Sequence, residues 1–205
     1  MASSSVQREH YHHGDLHNAL VAAAVALARD GGPQAVVLRE VARQVGVSAT
    51  SAYRHFANHL DLLAAVKAHA QQALTAAMRA EQVPGHVDGG APGDQSLARL
   101  HALGRGYLRF AETEPGWFRA AFDQHTPTAA GSESFRLLSE ALDELVRSGR
   151  MPAARRPGAE LSVWVTVHGL AEFLLDGGPL SGLADVEREN TITRTQLFIT
   201  DALTG

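Results

Sequence analysis

The side chains best suited to recognition chemistry cluster between Leu38 and Phe56, in the run LREVARQVGVSATSAYRHF. Thr50, Ser51, Tyr53, Arg54 and His55 bring hydroxyl, guanidinium and imidazole groups together, with Arg39 a short way upstream and the small residues Ala49 and Ala52 between. This is not a catalytic set. The chain has no HExxH pair, no phosphate-binding Gly loop and no Ser/His/Asp set with a nucleophile elbow. Glu112 and Glu114 fall on different sides of a helix end and make a poor acid/base pair. The mix suits a nucleic-acid duplex. Thr50 and Ser51 fit base edges or thymine methyls, and Ala49 lets the backbone come close to them. Tyr53 and His55 fit phosphates, Arg54 can reach either, and Arg39 can meet a phosphate where helix N–H groups already favour an anion.

Those residues need elements to hold them. Leu38, Val41, Ala42 and Val45 repeat at helical spacing and predict a helix from Leu38 to about Gln44, ended by Gly46. Ser48 is a good N-cap for a third helix over Ala49 to Phe56, and Asn58 caps a fourth that runs to about Arg79. A first helix is expected over Asp15 to Asp30, stopped by Gly31-Gly32-Pro33. The same pattern fits a plain helical hairpin inside a bundle. The short Gly-containing turn and the small-residue start of the third helix favour a helix-turn-helix, whose second helix enters the major groove.

Beyond Arg79, Pro84 to Gly93 reads as a linker. Further helices are predicted at Asp94–Thr113, Pro115–Phe122, Ser132–Ser148, Gly158–Leu175 and Asp185–Leu203. Val36-Val37 and Ile192 to Ile199 are the only β-leaning spots. The expected fold is all-α with about nine helices. It divides into an N-terminal arm and helix-turn-helix head (1–57), a connecting helix (58–82) and a helical ligand-binding and dimerisation body (83–205).

The chain has 205 residues, no cysteine and a net charge of −4. Disulfides and thiolate metal sites are excluded. The start lacks a signal peptide and no run is long and apolar enough for a membrane span, so a cytoplasmic protein is expected. Charge is uneven. The first eighty residues hold seven Arg and Lys against five Asp and Glu, and the remainder eleven against seventeen. A mildly basic head on an acidic body suits a nucleic-acid partner better than the net charge does. His10, His12 and His13 lie on an arm expected to be disordered or partly ordered. They can touch DNA phosphates with Arg8, pack on the head, or hold a metal weakly. No metal and no cofactor is expected.

The body holds most of the aromatic residues. Tyr107, Phe110, Trp117, Phe118, Phe122, Trp164 and His168 are the candidates for lining an apolar ligand cavity, although each also fits plain core packing. His168 could be a donor to the ligand or a core histidine bonded to a carbonyl. Gly169, costly inside a helix, suggests close approach of another helix. Leu161, Val165, Leu170, Ile192, Ile199 and Leu203, with Thr193 and Gln196 interleaved, suggest a dimer surface on the last two helices.

Residues 10–80 resemble the DNA-binding domain of the TetR family of transcriptional regulators. The resemblance rests on LREVARQVGVS at 38–48, Ala-Tyr-Arg-His-Phe at 52–56, and the helix from Asn58 that continues DLLAAV. YHHGDL at 11–16 resembles the start of one subgroup, whose carboxy-terminal domain is named for a Trp and a His-Gly pair. Trp164 and His168-Gly169 stand in the corresponding places. The resemblance implies a homodimer on a palindromic operator, released by a small-molecule effector bound in the body, with a four-helix bundle joining the subunits. Two positions depart from the pattern. Val37 stands where Thr or Ser usually caps the second helix and touches a phosphate, and His59 where a phosphate-binding Lys is usual. Weaker and more pH-dependent DNA binding is the expected consequence. A repressor is the leading reading. A protein-binding adaptor with reduced DNA affinity and a small-molecule enzyme are the alternatives, and salt-dependent binding to a palindrome separates them.

Overall fold

A computed structural model describes residues 3–81, 92–125 and 132–205, the side chains of residues 3–14 and 92 apart. Among these residues every regular element is helical: α1 (Ser3–Gly31), α2 (Leu38–Val45), α3 (Ala49–Tyr53), α4 (His59–Ala80), α5 (Pro92–Thr113), α6 (Pro115–Ala121), α7 (Glu133–Arg147), α8 (Ala159–Leu174) and α9 (Asp185–Thr204). Short 3₁₀ turns occupy Pro33–Ala35 and Ala153–Arg155. The β-leaning run from Ile192 lies inside α9, because tertiary packing of one helical face outweighs a weak strand propensity.

α1 starts at Ser3, so the arm expected to be disordered or partly ordered is instead the first part of a long helix. Adding residues to an anchored helix is cheap compared with nucleating one, and no proline interrupts residues 3–31. Most of the expected linker lies outside the described residues; its last two, Pro92 and Gly93, open α5. α3 ends at Tyr53, three residues before the expected Phe56.

The chain forms two compact units. The head joins Met1–Ala70 to Glu114–Thr128, and the body joins Gln71–Thr113 to Ala129–Gly205. α4 therefore serves both, and α6 belongs to the head although it lies far along the chain. The head core is built from Leu20, Ala24 and Ala28 of α1, Val36, Leu38 and Val41 around α2, Ala52 and Phe56 around α3, Leu62 and Val66 of α4, and Ala120 and Ala121 of α6. In the body, α5 packs on α7, α8 and α9.

Candidate nucleic-acid interface and body cavity

The turn between α2 and α3 is made by Gly46, at φ 76° and ψ 27°, a left-handed conformation that glycine adopts without steric cost. Its N–H reaches back to the Arg43 carbonyl at 3.2 Å, and Val47 N–H to that of Ala42 at 3.0 Å, closing the last turn of α2. Ser48 then starts α3, its hydroxyl accepting from Ser51 N–H at 3.1 Å. After Tyr53 the chain leaves the helix through 3₁₀-like bonds, Arg54 N–H to Ser51 O and His55 N–H to Ala52 O. This lets Phe56 turn into the core, where it stacks on His17 with 4.7 Å between ring centres.

Ala52 is fully buried, so the opposite side of α3 faces outward. Thr50, Tyr53 and Arg54 are exposed, Ala49 and Ser51 half-buried. His55 is half-buried, with its ring 6.3 Å from that of His17. Arg39 is exposed at the start of α2. Arg39 and Arg54 form no ion pair among the described residues. By contrast Arg43 is held by a two-pronged pair with Glu40, at 2.6 and 2.8 Å, whose hydrogen bonds pull the Glu40 carboxyl below its usual range. Val37, the N-cap residue of α2, supplies no capping side chain. His59 is exposed at the start of α4, and its Nε2 lies 2.5 Å from the Val36 carbonyl oxygen.

α6 is clamped to the head along its length. Pro115 opens it, and Gly116 lies so close to α1 that a Cβ there would sit 2.7 Å from the Arg29 carbonyl carbon and closer still to the Ala28 and Arg29 oxygens. Trp117 donates its indole N–H to the Val25 carbonyl at 2.9 Å, and the Arg29 guanidinium lies 4.9 Å over its ring while pairing with Glu114. At the far end Lys67 donates to the Asp123 carbonyl at 2.8 Å. Lys67 is the sole lysine, and burial lowers its pKa from the usual range, opposed by Asp123. Phe118 is fully buried and packs on Phe122 at 5.0 Å. Trp117, Phe118 and Phe122, expected around a ligand cavity, thus lie in the head. Periodicity could not reveal this, because the partner face is some ninety residues upstream; a glycine beside Pro115 and Trp117 was the available signal.

The body has its own cavity of about 40 Å³, walled by Met78 of α4, Leu100, Leu103, Gly104 and Tyr107 of α5, Leu138 of α7, Val163, Trp164 and Val167 of α8, and Ile199 of α9. Its polar lining groups are already used within the protein. His101 bonds Thr200 Oγ1 at 2.8 Å; Gln196 donates to the His101 carbonyl at 2.9 Å and accepts from Arg105 at 3.2 Å. The Tyr107 hydroxyl lies 2.7 Å from His168 Nδ1. Burial holds the Tyr107 hydroxyl neutral and lowers the pKa of His168, with Glu172 opposing the His168 shift. Tyr107 and Trp164 meet edge to face at 5.3 Å, and Phe135 meets Trp164 at 5.5 Å.

Of the seven ligand candidates, Tyr107 and Trp164 line this cavity. Phe110 is buried elsewhere in the body, and His168 meets the Tyr107 hydroxyl through Nδ1. Met78 and Gly104 were missed, since small and aliphatic residues read as ordinary core, and Gln196 was expected on the dimer surface. Nothing lies within 4 Å of the Cβ position of Gly169, so the expected close helix is not found there.

The apolar surface of α8 and α9 matches the expected one only in part. Leu170, Ile192, Ile199 and Leu203 are buried within the subunit, and so is Gln196. Leu161 and Val165 are exposed as expected, and Phe173, Leu197 and Phe198 add to the exposed apolar surface. The helical period is right but its phase is set by packing on α5, which a sequence alone does not specify.

No described helix is long and apolar enough to cross a membrane, and no group of His, Cys, Asp and Glu among the described residues could hold a metal ion.

Two family models match the chain. That of the bacterial regulatory proteins of the tetR family covers residues 20–66, and that of the tetracyclin repressor-like C-terminal domain covers residues 100–195. Among solved structures, a protein of unknown function from Rhodococcus sp. RHA1 is 25% identical, covers 95% of this chain and 98% of its own, and superposes with a TM-score of 0.69. A tetR-family transcriptional regulator from Streptomyces coelicolor is 19% identical, with 92% and 80% covered and a TM-score of 0.59. Another transcriptional regulator from that organism, a TetR, is 21% identical, with 91% and 98% covered and a TM-score of 0.57. No curated protein matches the chain.

Proposed function

We infer that this chain, which belongs to the TetR family of bacterial transcription regulators, is a homodimeric repressor acting in the cytoplasm and released from a palindromic operator by a small apolar or aromatic ligand. The observation that carries the DNA reading is the outer face of the head. Thr50, Tyr53, Arg54 and Arg39 are exposed there on two helices locked by Gly46 and Ser48, and neither arginine is tied up by a carboxylate. Thr50 and Ser51, with Ala49, would read base edges. Tyr53, Arg54, His55, Arg39 and His59 would meet phosphates or support those that do.

Two heads must stand about 34–36 Å apart to read successive major-groove faces, which calls for a dimer. The exposed apolar residues of α8 and α9 suit a four-helix bundle between subunits. The effector would enter the body cavity against Tyr107 and Trp164. Ligand pockets of about 300–1,000 Å³ are usual, so the cavity of about 40 Å³ must widen around its occupant. Because the polar groups around it already have partners, an uncharged ligand fits better than an ionised one. The YHHGDL start and the Trp164 and His168-Gly169 pattern support placing the chain in the subgroup named for that Trp and His-Gly pair.

The test is genomic footprinting, followed by binding to the recovered duplex over a salt series. Affinity should fall steeply, losing about 0.9 in log K per log salt for each phosphate neutralised. A flat salt response, or no binding, sinks the reading.

A further inference from the structure

We propose that His59 positions the α2–α3 pair by clamping the backbone that leads into α2, and that it does so in place of the phosphate contact expected at its position. The inference rests on the DNA-binding reading above. A carbonyl oxygen can only accept, so the 2.5 Å contact to Val36 requires that His59 Nε2 carry the proton and donate. This holds for the neutral Nε2–H ring and for the imidazolium alike. The nitrogen facing Val36 is therefore unavailable to a phosphate.

The place it grips is the entry to α2, where Val36 N–H bonds the Pro33 carbonyl at 3.2 Å and Val37 N–H that of Ala35 at 3.0 Å, while the Val36 carbonyl is left for His59. Val36, at φ −79° and ψ 88°, and the extended Val37 link the 3₁₀ turn at Pro33–Ala35 to α2. Val37 offers no side-chain cap to the N–H groups that begin α2. The Val36 side chain is fully buried and holds the inner side of the link. His59 holds its carbonyl from across 23 residues. The base of the clamp is firm in turn, for Asn58 Oδ1 accepts from Asp61 N–H at 3.0 Å and fixes the first turn of α4. His59 thus ties the start of α4 to the start of α2. Arg39 and the free N–H groups of α2 take their direction from that joint. Loosening it leaves the phosphate-binding geometry only part of the time, and apparent affinity falls by the same fraction.

Substitution separates a clamp from a phosphate contact. The probe is a labelled duplex selected from a random library by the wild-type protein, studied at about pH 8. His59→Ala should weaken binding roughly 3- to 10-fold, the worth of one net hydrogen bond, with an unchanged salt slope. His59→Gln carries an uncharged N–H₂ of similar reach and should restore affinity to within about twofold of wild type. Unchanged helicity by circular dichroism in both variants confines the effect to the joint. If His59→Ala lowers the salt slope by about one phosphate, or binds like wild type, the clamp is overturned. Failure of His59→Gln to rescue overturns it too. Nitrogen NMR of the unbound wild-type protein supplies an arm without DNA. An Nε2–H ring with a solvent-protected proton is expected, and an Nδ1–H ring overturns the clamp even where DNA binding holds. Absence of salt-dependent binding by the wild type instead overturns the DNA reading itself.

Discussion

Gly116→Ala adds one methyl group where α6 crosses α1, and the structure leaves no space for it. The added Cβ would lie 2.7 Å from the Arg29 carbonyl carbon and closer to two backbone oxygens, none of which can rotate away. Relief requires α6 to lift by roughly an ångström, a gap that forfeits about a quarter to a half of each dispersion contact along it. That shift also breaks the 2.9 Å bond from Trp117 to the Val25 carbonyl. Overpacking costs about 1–3 kcal/mol. A donor and acceptor left unpaired add about 1–3 kcal/mol, part of which exposure to water returns. Against this, alanine gains at most about 1 kcal/mol over glycine in helix propensity. The net expectation is a loss of about 2–4 kcal/mol, confined to the head. The two tryptophans make this measurable, since Trp117 lies in the head and Trp164 in the body. In a Trp164→Phe background, urea unfolding followed by Trp117 fluorescence should show a midpoint lowered by about 1–2 M, at an m-value of about 2 kcal/mol/M. Gly104→Ala is the control, because its Cβ would meet nothing nearer than Gln196 Nε2 at 3.8 Å. It should leave the Trp117 transition in place. A Gly116→Ala loss below about 1 kcal/mol would refute the claim that α6 is jammed against α1 and belongs to the head.

Three further outcomes follow from the same geometry. Val37→Thr should supply the missing oxygen at the N-cap of α2, raise stability by about 0.5–2 kcal/mol and tighten DNA binding; no gain in either thermal melting or affinity counts against the role given to that position. Burial lowers the pKa of His101, aided by Arg105, and that of His168 against the pull of Glu172, so the folded body resists protonation at both rings. The unfolded chain then binds more protons below about pH 6.5, and body stability should be full above that pH and decline as pH falls through it; Trp164-detected urea midpoints equal at about pH 7.5 and 5.5 would contradict this. Phe198→Glu places a charge on a residue 66% exposed in the subunit, and sedimentation at micromolar concentration should show monomers in place of dimers; an unaltered dimer would move the interface off this face.

Much of the head was legible in the sequence for a physical reason: its signals are local. Gly46 and Ser48 mark a turn and a cap through their own backbone and hydroxyl, and Leu38, Val41 and Ala42 show a buried stripe within two turns. The body was legible only in outline. Tyr107 and Trp164 stood out as aromatic residues, while Gly104 and Met78, which shape the same cavity, carry no local mark. On the exposed face of α8 and α9, Leu161 and Val165 were assigned correctly but Leu170, Ile192, Ile199 and Leu203 were not, because period is a property of one helix and phase is a property of its neighbours.

The sequence by itself determined the helical class, the order of the elements and the residues of the α2–α3 turn, since propensity, capping and hydrophobic period act over a few residues. Tertiary structure decided the rest. It placed α6 with its Trp117 in the head through a glycine-sized contact with α1, and it turned Leu170 and Ile199 inward and Phe198 outward. It also gave the His59 ring to the Val36 carbonyl. Each of these depends on which distant backbone comes within a few ångströms, a distance that no local pattern encodes.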